Sequence, residues 1–140
     1  MPTKKAEAIW KGNLKSGKGT MKLESGSYEG AYSFATRFED KAGSNPEELI
    51  GAAHAGCYSM AFSNELDKAG FTPNSVETHA EVTIDPGAGA ITKIKLIAKG
   101  DVPDIDDAKF QEIAEAAKNG CPVSKALKAV NIELDATLVN

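Results

Sequence analysis

Between Leu49 and Cys57 the chain reads Leu-Ile-Gly-Ala-Ala-His-Ala-Gly-Cys, a run that is small or apolar on almost every side. The residues ahead of it, Asn45-Pro46-Glu47-Glu48, spell a helix start. Asn45 serves as the N-cap, Pro46 takes the first helical position, and Glu48 stands three residues after the cap, as in a capping box. The helical pattern continues to Ala69, where Gly70 and the nearby Pro73 supply the stop. A helix with no polar face has to be covered all round. At 140 residues the chain has room for one core, and one copy lacks the surface to cover such a helix. A second copy docked against the small residues is therefore expected, which makes the protein a homodimer.

The flanking segments set the class. Ala6 to Gly12, Gly19 to Glu24 and Tyr28 to Phe38 read as three strands of a meander, parted by the turns Lys15-Ser16-Gly17-Lys18-Gly19 and Ser25-Gly26-Ser27. In the third, Tyr32, Phe34, Thr36 and Phe38 alternate with Ala31, Ser33, Ala35 and Arg37, which sets Arg37 opposite Phe34 and Phe38. Val76 to Asp85 and Ala90 to Lys99 form a hairpin around Pro86-Gly87-Ala88-Gly89. A helix follows from about Asp106 to Lys118, with Phe110, Ile113, Ala114 and Ala117 on one face and Gly120 after its end. A short helix starts at Cys121-Pro122-Val123-Ser124, and Ile132 to Val139 closes the chain as a strand. The class is α+β, with antiparallel sheets packed on a long buried helix. No repeat or linker divides the chain, so residues 1–140 are expected to be a single domain.

Charge excludes several functions. Sixteen basic against twenty acidic residues leave a formal charge of −4, without a dense basic run, which argues against a nucleic-acid partner. No segment reaches the roughly 18 apolar residues of a membrane span, and nothing apolar follows Lys4 and Lys5 to make an export signal. A cytoplasmic protein is expected. There, two cysteines set 121 − 57 = 64 residues apart are more readily free or catalytic thiols than a structural crosslink.

Cys57 lies two to three turns inside its helix, too deep for the dipole to ionise it, and needs another source of positive charge. Arg37, just before the helix, is the candidate cation. A carboxylate can orient the guanidinium through a bidentate pair. At about 100° per residue, Glu47 lies about 80° around the axis from Cys57 and Glu48 about 180°, so Glu47 is favoured. Cys121, at a helix N-cap, has backbone N–H groups to stabilise its thiolate, and local physics alone makes it the better thiolate of the two.

The string N-P-E-E-L-I-G-A-A-H-A-G-C-Y-S-M-A at 45–61 and G-C-P-V-S-K-A-L at 120–127 resemble the OsmC/Ohr family of osmotically inducible and organic hydroperoxide resistance proteins. W-K-G-N-L-K-S-G-K-G-T, F-A-T-R-F, A-G-F-T-P and A-I-T-K-I extend the resemblance over nearly the whole chain, toward the OsmC branch. It implies an intertwined α+β homodimer and a thiol-dependent peroxidase that reduces alkyl or fatty-acid hydroperoxides. By the same resemblance, Cys57 corresponds to the attacking cysteine, Cys121 to the resolving one, Arg37 to the thiolate-stabilising arginine and Glu47 to its partner. An external dithiol, with a lipoyl-bearing protein as the family's reductant, resets the disulfide. No cofactor is implied. The competing reading is a non-catalytic dimeric module, stress-protective or ligand-binding, whose thiols merely pack.

Among the remaining features, His54 stands close to one turn before Cys57 and is read as a packing or hydrogen-bonding residue, with a base toward Cys57 as the sharper alternative. Two histidines and two cysteines without close spacing argue against a metal site.

Overall fold

The computed structural model describes residues 1–139, which divide after Leu49 into two compact units. The first holds the antiparallel meander β1 (Ala6–Lys11), β2 (Lys18–Leu23) and β3 (Glu29–Tyr32), in that order. Gly19 of β2 pairs with both Trp10 and Tyr32, whose rings approach to 5.4 Å between centroids. A Cβ at Gly19 would stand 2.7 Å from each ring, so the close ring pair requires glycine there.

The strand expected to run to Phe38 stops at Tyr32. Phe34–Phe38 is instead a short helix, α1, with Ser33 as N-cap. Thr36 N–H donates to Ser33 Oγ at 3.3 Å and Ser33 N–H donates to Thr36 Oγ1 at 2.9 Å, a reciprocal box that outweighs the period-2 pattern. The expected opposition of Arg37 to the two phenylalanines fails with the strand. The rings of Phe34 and Phe38 lie 5.0 Å apart, and the Arg37 guanidinium sits 5.2 Å from the Phe38 ring.

The long helix α2 (Pro46–Lys68) starts as its cap sequence predicts. Glu48 N–H donates to Asn45 Oδ1 at 2.8 Å, and Asn45 Nδ2 donates to the Glu48 carboxylate at 2.9 Å. From Ile50 onward the second unit adds the hairpin β4 (Ser75–Asp85) and β5 (Ala90–Asp101), then α3 (Asp107–Gly120), α4 (Pro122–Ala126) and β6 (Asn131–Leu138). The sheet order is β4-β5-β6, and β6 pairs with β5 in parallel, against the expectation of antiparallel sheets throughout. The reason is the path between them, since α3 and α4 carry the chain back so that β6 enters at the same end as β5.

The core of this unit joins three stripes. Tyr58, Phe62 and Leu66 recur every fourth residue of α2, Ile94, Leu96 and Ala98 every second residue of β5, and Phe110, Ile113, Ala114 and Ala117 line one face of α3. The Phe62 and Phe110 rings meet at 5.1 Å, and Tyr58 Oη donates to the Ala114 carbonyl at 3.0 Å. Gly51 lets the helix approach β4, where a Cβ would lie 3.3 Å from Val82 and 3.6 Å from Ala80. The opposite face of α2 is uncovered in a single copy: Ala52, Ala53, Gly56 and Met60 are exposed, Met60 by 77%.

Candidate active site

The first unit holds an ion pair. Arg37 sits in the last turn of α1, and its Nε donates to Glu47 Oε1 at 2.8 Å and to Oε2 at 3.3 Å. Glu47, rather than Glu48, is thus the partner of the arginine, because Glu48 is taken up by Asn45. The pairing differs from the expected two-pronged fork, since a single nitrogen reaches both oxygens. Glu47 is only 7% exposed, so its charge would be stranded without the guanidinium. Beside the pair lies a cavity of about 240 Å³ lined by Trp10, Leu14, Tyr32, Phe34, Arg37 and Phe38, an aromatic surface with one cation in it.

The second unit holds the thiols. Cys57 lies on α2, and Cys121 occupies the joint between α3 and α4, closing one helix and capping the next. A chain separation of 64 residues collapses to 3.0 Å between the two sulfurs, both of them free thiols. A disulfide bond requires an approach of only about 1 Å more. The two differ in access. Cys121 is fully buried, whereas Cys57 is half-buried and opens on a cavity of about 580 Å³ walled by Met60, Ala61, Ala117, Gly120 and Pro122.

They differ in charge as well. Burial pushes the Cys57 thiol up, and sharing a proton with Cys121 pushes it further, against a smaller opposing effect of the Val123 backbone N–H. Burial acts on Cys121 in the same sense but is outweighed. Hydrogen bonds from Cys57, from the Ser124 backbone and hydroxyl, and from the Val123 backbone hold Cys121 below the ordinary thiol range. Of the pair, Cys121 is therefore the thiol whose pKa is lowered and Cys57 the one whose pKa is raised.

His54 is fully buried, and its Nε2 lies 2.7 Å from Ser124 Oγ rather than being directed to Cys57 as a base. Ser124 was not anticipated. Its one sequence signal is its position three residues after Cys121, where a side chain and backbone can turn back on the cap.

Known proteins can now be compared with this arrangement. A family model described as OsmC-like protein matches residues 38–135, a span that includes both cysteines. The chain belongs to the OsmC-like family. It is 55% identical over 135 residues to peroxiredoxin OsmC of Escherichia coli, covering 94% of each chain. Against the organic hydroperoxide resistance protein OhrB of Bacillus subtilis the identity is 30% over 99 residues, 69% of this chain and 72% of that one, so the chain sides with the OsmC branch. The OsmC-like protein of Mycoplasma pneumoniae superimposes with a TM-score of 0.76 over 99% of both chains at 15% identity, a likeness of fold alone.

Proposed function

We propose that this OsmC-like protein is a cysteine-based peroxidase that reduces alkyl or fatty-acid hydroperoxides to alcohols and so protects the cytoplasm against oxidative stress. The observation that carries the reading is the pair of free sulfurs 3.0 Å apart, one half-open and one sealed. Peroxide meets Cys57 first because Cys121 has no exposed surface. The Cys57 sulfur attacks one peroxide oxygen, the O–O bond breaks, and the alcohol leaves with a proton. Cys121 then attacks the sulfur of the Cys57 sulfenic acid, expelling hydroxide that becomes water, and the disulfide forms. An external dithiol, for which a lipoyl-bearing protein is the candidate, returns both thiols.

In this reading Arg37, held by Glu47, steadies the charge that Cys57 carries as it attacks. The aromatic cavity beside Arg37 and the apolar walls beside Cys57 suit an alkyl chain better than hydrogen peroxide. Residues 1–140 act as one domain, in a homodimer that covers the exposed face of α2. The names of the relatives, a peroxiredoxin and organic hydroperoxide resistance proteins, agree with this chemistry. The test is peroxide consumption without added reductant. Cys57→Ser should consume none, and Cys121→Ser about one equivalent, leaving Cys57 oxidised. Consumption by Cys57→Ser but not by Cys121→Ser would reverse the roles.

A further inference from the structure

α4 is five residues long and has little of its own to hold it in place. Pro122, Lys125 and Ala126 are exposed, its N-cap residue Cys121 makes no side-chain cap bond, and Ser124 is its one buried residue. So short a helix persists only through tertiary contacts. Ser124 supplies one, because its Oγ lies 2.7 Å from Nε2 of His54 on α2, and both side chains are buried.

Two rungs therefore join α4 to α2. His54 stands three residues before Cys57, and Ser124 three residues after Cys121, so the bond from His54 to Ser124 lies about one helical turn from the sulfurs that approach to 3.0 Å. The sulfur rung changes with chemistry, closing to about 2 Å in a disulfide. The other rung takes part in no bond change. Among the described residues, His54 Nδ1 is the one buried side-chain nitrogen or oxygen without a hydrogen-bond partner. A proton there would be an unpaired buried donor, so the imidazole, kept neutral by burial, carries its proton on Nε2 and donates it to Ser124 Oγ. That bond is the only one the ring has, and withdrawal of α4 would strand it.

We propose that His54 and Ser124 form a positioning clamp that fixes α4 to α2 and keeps Cys121 within bonding reach of Cys57 while Cys57 is oxidised. The inference rests on the peroxidase reading, in which the Cys57 sulfenic acid has two fates. In one, the Cys121 sulfur attacks it: the S–S bond forms as the S–O bond breaks, and the sulfenic hydroxyl and the thiol proton leave as water. In the other, a second hydroperoxide gives up an oxygen to make the sulfinic acid and departs as the alcohol. Only the first depends on how much of the time Cys121 is in place, and the clamp favours it.

Closure can be read without peroxide. A chromogenic aromatic disulfide releases one coloured thiolate as it caps Cys57 and a second when Cys121 displaces the cap, so the second phase is the closure rate. Ser124→Ala should slow that phase about ten- to a hundredfold, by the same factor across the pH range in which the thiols titrate. His54→Leu should act likewise, and His54→Gln, which keeps a donor, should slow it less. An unaltered rate in Ser124→Ala overturns the clamp, and so does a loss that only displaces the pH profile, since that would be a change in the thiol rather than in its place. Nitrogen NMR of the unaltered protein adds a test that no variant has to survive: the His54 Nε2 proton should exchange slowly in both the thiol and the disulfide forms, and its loss in either overturns the clamp. Slowed closure in a chain that consumes no hydroperoxide would uphold the clamp and remove the peroxidase reading. In a chain that does consume it, Ser124→Ala should raise the ratio of Cys57 sulfinic acid to disulfide by the factor that closure loses.

Discussion

From Ile50 onward the chain fully buries Tyr58, Phe62, Leu66, Ile94, Leu96 and Phe110, whereas in the first 49 residues the only buried side chains are Thr36 and Glu47. The first unit even leaves Ile9, Leu14 and Leu23 exposed by 58%, 61% and 39%. One unit is organised by apolar packing, the other by paired strands, caps and an ion pair. The difference matches the chemistry that each unit holds. Two thiols held 3.0 Å apart need a dry, fixed setting, in which hydrogen bonds shift the two sulfurs' pKa values in opposite directions. An arginine that supplies charge needs mainly a partner to hold it, and Glu47 is that partner.

The largest effect that would break this contrast is on stability. Phe62→Ala should cost about 3–5 kcal/mol, because Phe62 is fully buried against Tyr58 and Phe110. Ile9→Ala, at an exposed strand position, should fall within about 0.5 kcal/mol if one copy stands alone. Chemical denaturation at two protein concentrations measures both. A loss for Ile9→Ala well above that value, shrinking as the protein is diluted, would show that a second copy covers the meander as well as α2.

A smaller effect is expected at the ion pair. Arg37→Met should raise the pH at which Cys57 reacts with an alkylating agent by about one unit or more, and Arg37→Lys should recover little of it, because a lysine lacks the planar guanidinium that Glu47 holds. Glu47→Gln should give a lesser rise by loosening the arginine. Glu48→Gln should leave reactivity alone and cost about 1 kcal/mol or less through its contact with Asn45. An unchanged Cys57 profile in Arg37→Met would detach the ion pair from the thiols.

Much of this was legible where the signal is local. The cap at Asn45, the apolar face of Phe110, Ile113, Ala114 and Ala117, and the glycine-rich turn between β4 and β5 depend on neighbours within a few residues. Glu47 could be chosen over Glu48 from helix angles alone. Phe34–Phe38 was misread because alternating aromatic residues imitate a strand, while the capping signal, a threonine at the third position instead of a glutamate, is weaker in sequence than in space. The parallel entry of β6 depends on how α3 and α4 cross the sheet, which no periodicity encodes. The approach of Cys57 to Cys121 over 64 residues came from family resemblance rather than from spacing. Ser124 escaped notice because its meaning arises only once α4 folds back toward His54.

The central claim is that the two thiols are a working redox pair, and the most direct measurement is a mass-spectrometric map of the protein after one equivalent of cumene hydroperoxide. The account predicts a peptide crosslinked through Cys57 and Cys121, with both thiols lost together. Retention of both thiols, or oxidation of Cys57 that stops at the sulfinic acid with Cys121 still free, would contradict it.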